Sequence, residues 1–224
     1  SDDAMAGSGP MPLVDAMEED PDLQYAYGKV VRTDEKLRPL DGDIPVGAEF
    51  LDQPVEVAGY HWHTMGPVYR RSYLEHVGPW NVEMTGSQDW EYQARVKIER
   101  GKRKFVDEVV GHWRQHGGDR VGTAQFRPDY VRSVMIGCES VLGHARESHY
   151  SDSALEKRLA KRLVVHALEW GAHKHLQERK ECLAQAKASL SSSFLMRCAI
   201  SCLRLAPSVF DRLLLQCITG RKFA

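Results

Sequence analysis

The segment Leu23–Val31, with the sequence LQYAYGKVV, decides how the first half of the chain folds. Its aromatic and β-branched residues favour a β-strand. Residues 11–20 before it have a helical pattern that Pro21 ends. Residues 33–59 after it carry proline and glycine turn signals, so we predict a loop there.

Further elements are predicted outward from this segment, up to residue 125. They are a strand at 66–69, a helix at 71–76, a helix at 88–100, and a strand at 104–110 that runs on through 112–116. The helix at 88–100 is predicted because Trp90, Ala94 and Ile98 share one face and Gly101 supplies a C-cap.

The chain changes character near residue 125, after which the pattern is almost entirely helical. Amphipathic helices are predicted at 128–147, 153–176 and 178–190, and a helix pair broken at Pro207 is predicted over 194–218. We therefore expect the α/β class, with one domain at 1–125 and an α-helical extension at 126–224.

The composition is that of an ordinary globular protein, with 224 residues of which 42% are hydrophobic and 27% charged. No apolar run approaches the roughly 18 residues that span a bilayer. Residues 1–50 carry 4 basic and 12 acidic residues, whereas residues 151–224 carry 13 basic and 6 acidic ones. The basic end fits an anionic membrane surface, a partner, or simply a solvated helical face, and its lack of interleaved aromatic residues disfavours nucleic acid.

The cysteines indicate a reducing setting. All five lie in the second half of the chain, at positions 138, 182, 198, 202 and 217. Their odd number and the absence of a CxxC pair argue against a disulfide framework and against a zinc knuckle. We therefore expect a cytoplasmic protein.

Two acidic features have the chemistry of a catalytic site. Adjacent carboxylates at Asp2 and Asp3 are hard oxygen ligands suited to Mg²⁺ or Mn²⁺, although such a pair is often only a solvated terminus. Asp89 follows Gly86-Ser87 at the start of a helix, where the dipole favours the ionised carboxylate that a general base needs. Its alternative is an ordinary acidic residue in a first helical turn.

A third feature is basic. Alternation along an extended segment places His112, Arg114 and His116 on one face, where they could meet a metal and a phosphate. The alternative is a surface strand end followed by a glycine turn.

Aromatic and arginine side chains near these features are candidates for acceptor binding. Trp62, Trp80 and Trp90 could stack on a sugar ring, and Trp62 and Trp90 are the favoured ones, although most tryptophans of this kind belong to the core. Arg70 and its neighbour Arg71 could contact an anionic acceptor or the diphosphate, or lie solvated at a helix start. The histidines on either side of Trp62, at 61 and 63, are weaker candidates for metal ligands.

In this order, the motifs resemble those of the inverting family 2 glycosyltransferases with the GT-A fold. The matching segments are Ser1–Asp3 (the end of a DxD motif), Asp20–Asp22 with Tyr25–Lys29, Gly66–Ser72, Val77–Asn81, Gln88–Val96 (the "ED" helix) and Arg114–Gly118. The resemblance covers roughly residues 1–123. It implies a GT-A domain with a mixed sheet, and Gln88 departs from the glutamate that the family often has before its catalytic aspartate.

The resemblance also implies a role for each site residue. Asp2 and His116 would hold the divalent metal, and Arg114 would contact the nucleotide-sugar donor. Asp3 would support the metal or contact the donor. Asp89 would be the catalytic base. Trp62, Arg70 and Trp90 would face the acceptor.

The implied activity is transfer of a sugar from a nucleotide-sugar donor to a hydroxyl of a glycan or lipid-linked acceptor, as in polysaccharide biosynthesis. We expect the chain to begin within the DxD motif and to lack the nucleotide-binding half, so that it binds sugar nucleotide poorly alone. A homo-oligomer and peripheral attachment to the inner face of the membrane fit the helical tail. The alternative is a catalytically inactive acceptor-binding or scaffold module with a partner-binding tail.

Overall fold

The computed structural model describes residues 3–40, 57, 62–115, 128–150, 153–190, 193–206, 208 and 211–219. Within them it is a mixed α/β protein, as predicted. The strands are β1 (Ala4–Met5), β2 (Tyr25–Thr33), β3 (Pro67–Tyr69) and β4 (Arg103–Arg114). The helices are α1 (Met11–Glu19), α2 (Arg71–Val77), α3 (Gln88–Ile98), α4 (Pro128–Glu147), α5 (Ser153–Ala172), α6 (Leu176–Ala188), α7 (Phe194–Leu205) and α8 (Asp211–Thr219).

These bounds confirm the predicted elements and correct several of their ends. Strand β2 begins and ends two residues later than predicted, and α3 ends at Ile98 because Arg100 takes the left-handed φ of 53°. Strand β1 was not predicted, since two residues carry no periodic signal.

The chain packs as two compact units. Unit 1 comprises Ser1–Trp80 and Tyr92–Asp119, and unit 2 comprises Asn81–Glu91 and Arg120–Ala224. The boundary falls inside α3. Residues 81–91, which the sequence analysis placed with the first domain, therefore belong to the second unit.

Unit 1 is built on a mixed sheet with the strand order β1-β4-β2-β3 among its described residues. Strands β2 and β4 are parallel, with pairs running from Tyr25 and Arg103 to Thr33 and Arg114. Strands β1 and β3 pair antiparallel with β4 and β2. The central β2 is buried on both faces, which explains its near-continuous apolar sequence.

Alternation along β2 separates two cores. Tyr25 and Tyr27 point into an aromatic cluster with Trp62, Tyr73, Val77, Tyr92 and Val96. Ala26 and Val30 point to the opposite face, against Leu13 and Met17 of α1, Leu23, and Val110 of β4. The tyrosines of Leu23–Val31 thus build one core and its small aliphatic residues build the other.

Gly28 lets the two central strands pair closely. A Cβ at this position would lie 2.7 Å from Val110 Cγ1 and 3.0 Å from the carbonyl oxygen of Glu108. The second of these atoms belongs to the backbone, so β4 itself would have to move.

We therefore expect Gly28→Ala to lower the free energy of unfolding by about 1–3 kcal/mol through overpacking. Gly7→Ala is the matched control in unit 1, because a Cβ there would meet nothing within 4 Å. It should change stability by no more than about 0.5 kcal/mol. Urea unfolding followed by circular dichroism measures both, and equal effects would contradict the close approach.

The aromatic cluster makes stability dependent on alkaline pH. Burial raises the pKa of Tyr73 to about 12, and it raises the pKa values of Tyr25 and Tyr69 as well. An unfolded tyrosine has a pKa of about 10, so above pH 10 the unfolded state loses its protons first. The contribution of these residues is therefore present below pH 10 and falls as the pH rises toward 12.

Tyr73→Phe should make the decline of stability between pH 10 and pH 12 shallower, by up to about 1.4 kcal/mol per pH unit. It should also cost stability at pH 7, because Tyr73 Oη donates to the Val96 carbonyl at 2.6 Å. Urea unfolding at several pH values tests this. An unchanged alkaline slope would show that Tyr73 ionises equally easily in both states.

Unit 2 contains helices α4 to α8, and a buried ion pair ties α8 to α6. The Arg179 guanidinium donates to both carboxylate oxygens of Asp211, at 2.6 and 2.9 Å. It also donates to the carbonyls of Leu203 and Ala206 at the end of α7. Asp211 is 0% exposed, and the end of α7 and the start of α8 are thereby held to α6.

The surface of α7 and α8 remains apolar in places. Leu195, Leu205 and Leu213 are 81%, 87% and 61% exposed. Among the described helices, none combines the length and the apolar character that crossing a bilayer requires.

Candidate active site

Asp3 lies at the edge of the sheet where the parallel strands β2 and β4 end. Thr33 and Arg114 are the last paired residues of these strands, and Ala4 of β1 pairs with His112 of β4. The pairing of β1 brings the preceding Asp3 to the end of β4, where the Arg114 backbone N–H donates to Asp3 Oδ1 at 3.0 Å. Backbone structure therefore orients this carboxylate.

An imidazole faces the other oxygen of Asp3. His63 Nε2 lies 4.0 Å from Asp3 Oδ2, and the two side chains are only 14% and 18% exposed. The His63 ring packs against Trp113, with ring centroids 5.1 Å apart. From the sequence His63 is only a weak candidate for a ligand, because no local spacing links it to an aspartate sixty residues earlier.

Three buried polar atoms at this edge have no hydrogen-bond partner in the part of the chain that the structure describes. They are His112 Nδ1, Arg114 Nε and Thr33 Oγ1. His112 and Arg114 alternate along β4 and so share a face, as predicted, and Thr33 is the register partner of Arg114. Such atoms cost about 1–3 kcal/mol each and usually signal a water, an ion or a ligand. This edge is therefore a candidate ligand site.

Asp3 and His63 are close enough to share one cation. The separation of 4.0 Å between Asp3 Oδ2 and His63 Nε2 is below twice a metal–ligand bond of about 2.1 Å, so one ion could reach both. The described residues contain no group of three or more His, Cys, Asp and Glu that could hold a metal. Asp2 and His116, the predicted metal ligands, lie outside the described residues.

Asp89 stands in the first turn of α3, in unit 2. Its Oδ1 accepts a hydrogen bond from the Trp90 backbone N–H at 2.8 Å. Ser87, just before the helix, has a left-handed φ of 58° and contacts Tyr130 Oη through its hydroxyl at 2.8 Å. A Cβ at Gly86 would lie 2.5 Å from the Tyr130 ring, so this turn requires glycine. A strained turn of this kind is frequent at functional sites.

A buried arginine interacts electrostatically with Asp89. Burial lowers the pKa of Arg162, and the negative charge of Asp89 is among the groups that oppose this effect. The Arg162 guanidinium lies over the Trp90 ring, 4.0 Å from its centroid. The sequence did not predict a role for Arg162, because Arg162 is one of several basic residues on an amphipathic helix.

The predicted acceptor residues make structural contacts. Trp62 and Trp90 are each 2% exposed, so neither presents a ring face to solvent. The Arg70 guanidinium donates to the carbonyls of Leu23 at 2.7 Å and Met17 at 2.6 Å, and so joins the end of α1 to the start of β2. Their acceptor roles stay predictions, which the burial of the two rings weighs against.

No protein-family model matches the chain, and no curated protein matches it. Membership of a glycosyltransferase family is therefore not shown, and the resemblance of the motifs stays a prediction.

Within the described residues the Thr33 hydroxyl has no hydrogen-bond partner, and stability measurements can test this. Thr33→Val preserves the shape of the side chain and removes a buried polar atom, so we expect unchanged or higher stability, by up to about 1 kcal/mol. Thermal unfolding measures this, with Thr33→Ala as the cavity-forming control. A loss of more than about 1 kcal/mol in Thr33→Val would show that the hydroxyl has a partner within the protein.

Proposed function

We propose that the chain carries the metal and acceptor side of an inverting GT-A glycosyltransferase related to family 2. The observation that carries the proposal is the Asp3 carboxylate, oriented by the Arg114 amide at the carboxyl ends of two parallel strands. The unpartnered polar atoms beside it support a ligand at this edge. The order of the motifs along the sequence supports the choice of family.

On the donor side, Asp2, Asp3 and His116 would hold a Mg²⁺ or Mn²⁺ ion, with His63 as an additional ligand. Such an ion would neutralise charge on the nucleotide diphosphate. Arg114 Nε, which has no partner among the described residues, would donate a hydrogen bond to a diphosphate oxygen. That hydrogen bond would strengthen as negative charge develops on the oxygen.

On the acceptor side, Asp89 would be the base. It takes the proton of the acceptor hydroxyl while the hydroxyl oxygen forms a bond to the anomeric carbon of the donor. The bond from that carbon to the diphosphate oxygen breaks, its electron pair leaves with the nucleotide diphosphate, and the configuration inverts. Asp89 lies in the first turn of α3, and the buried Arg162 is a charged neighbour of it. Gln88 is engaged separately, since its amide donates to the Met84 carbonyl at 3.0 Å.

Asp89→Asn should lower the rate of sugar transfer by about 10²- to 10⁴-fold, because the amide cannot accept the proton. The assay follows the release of nucleotide diphosphate from a panel of nucleotide sugars, with Mn²⁺ and glycan or lipid-linked acceptors, in the protein that carries this sequence.

Asp22→Asn is the matched control, since it removes the same charge from a side chain that is 87% exposed. It should leave the rate within about twofold. An unchanged rate in Asp89→Asn, in a protein that does transfer sugar, would exclude Asp89 as the base.

A second candidate function is partner binding by the helices of unit 2 in a catalytically inactive protein. The exposed Leu195, Leu205 and Leu213 favour it. Flotation with anionic liposomes tests whether the partner is a lipid surface, and an absence of binding would favour a protein partner. A transferase activity that depends on Asp89 would rule out the inactive form of this alternative.

A further inference from the structure

A groove of about 700 Å³ opens on unit 1. Its lining includes Tyr69, Arg71, Glu75, Pro79, Trp80 and Tyr92, all of which belong to unit 1. Trp80 is 44% exposed, which is unusual for a tryptophan and leaves an aromatic surface open to solvent.

The buried residues Tyr92 and Arg95 hold the exposed Trp80 ring in place. The Trp80 and Tyr92 rings stack with centroids 4.6 Å apart and planes 2° from parallel. The Arg95 guanidinium lies 4.8 Å from the Tyr92 centroid. Tyr92 and Arg95 are 5% and 6% exposed, so the exposed ring rests on two buried layers.

The same arginine also fixes the backbone that carries Trp80. Arg95 donates to the carbonyls of Val77 and Pro79, each at 2.8 Å. Gly78 makes the turn between them at a φ of 89°, in a region that side chains rarely adopt. Trp80, Tyr92 and Arg95 therefore form an aromatic platform that is ordered before any ligand binds, which reduces the entropic cost of binding.

The surroundings of the platform match a sugar ring better than an extended apolar ligand. The face of an indole is electron-rich, and the C–H face of a pyranose carries partial positive charge. Arg71 and Glu75 lie one helical turn apart on α2 and are exposed at the groove. Together they offer hydrogen-bond donors and acceptors to hydroxyl groups, as polar groups around apolar ligand sites do.

We propose that this groove is a subsite that binds a neutral pyranose of a glycan, with the ring stacked on Trp80. The choice of a sugar over other ligands that can stack on an aromatic ring rests on the proposed function, whereas the existence of the aromatic site does not.

The test uses ¹⁵N-labelled protein and its five tryptophan indole N–H signals, titrated with cellotetraose, chitotetraose and, separately, a decaproline peptide. The Trp80 signal is assigned by its absence in Trp80→Phe. We expect at least one sugar to shift the Trp80 signal with a dissociation constant of roughly millimolar order. Trp80→Ala should raise the dissociation constant of that sugar by about tenfold or more, and Trp80→Phe should raise it by less. In the alanine variant the binding is read from backbone amide signals of α2.

The four remaining indole signals show whether each variant is folded. A folded Trp80→Ala variant with unchanged affinity would overturn the proposal, as would titrations in which neither sugar shifts Trp80. A Trp80 shift with decaproline and with no sugar would also overturn it. Because no nucleotide sugar is present, sugar binding that survives in Asp89→Asn separates this proposal from the outcome of the transfer assay.

Discussion

The parallel pairing of β2 with β4 is the constraint on which unit 1 depends. It brings together strands whose paired ends, Thr33 and Arg114, lie more than eighty residues apart in the chain. It also creates the edge to which β1 adds Asp3. Parallel strands place their carboxyl ends on one side, and open α/β sheets commonly bind ligands there. Gly28 allows the close approach of these two strands, because a Cβ at this position would crowd Val110 and the backbone of β4.

Helix α3 shows how the protein buries polar side chains without leaving them unpaired. Residues 90–98 are all buried, including four polar or charged side chains. Glu91 accepts a hydrogen bond from Ser140 at 2.5 Å, Gln93 donates to the Trp62 carbonyl, and Arg95 donates to the Val77 and Pro79 carbonyls. Satisfied polar groups of this kind specify one arrangement of the core. They contrast with the unpartnered atoms at the end of β4.

Local patterns predicted residues of the candidate site only where those residues are close in the chain, and the joint assignment of Asp3 and Arg114 came from the family resemblance instead. Alternation placed His112 and Arg114 on one face, and the turn before α3 marked Asp89, because both signals are local. His63 was only a weak candidate and Arg162 was not predicted, since their partners Asp3 and Trp90 lie in distant segments. Trp62, Trp80 and Trp90 were all candidates for sugar stacking, and tertiary packing buried Trp62 and Trp90 but left Trp80 exposed. Side-chain exposure is a property of packing, which a single sequence does not specify.

The sequence by itself determined the α/β class, most of the helices and strands, and the change to an all-helical pattern after residue 125. These follow from periodicity, propensity and turn residues, which act over a few positions. Only the tertiary structure decided the strand order β1-β4-β2-β3, the meeting of Asp3 with Arg114 and His63, and the division of the chain inside α3. Those features depend on contacts between residues far apart in the chain, where the hydrophobic and hydrogen-bonding gains of many segments are settled together.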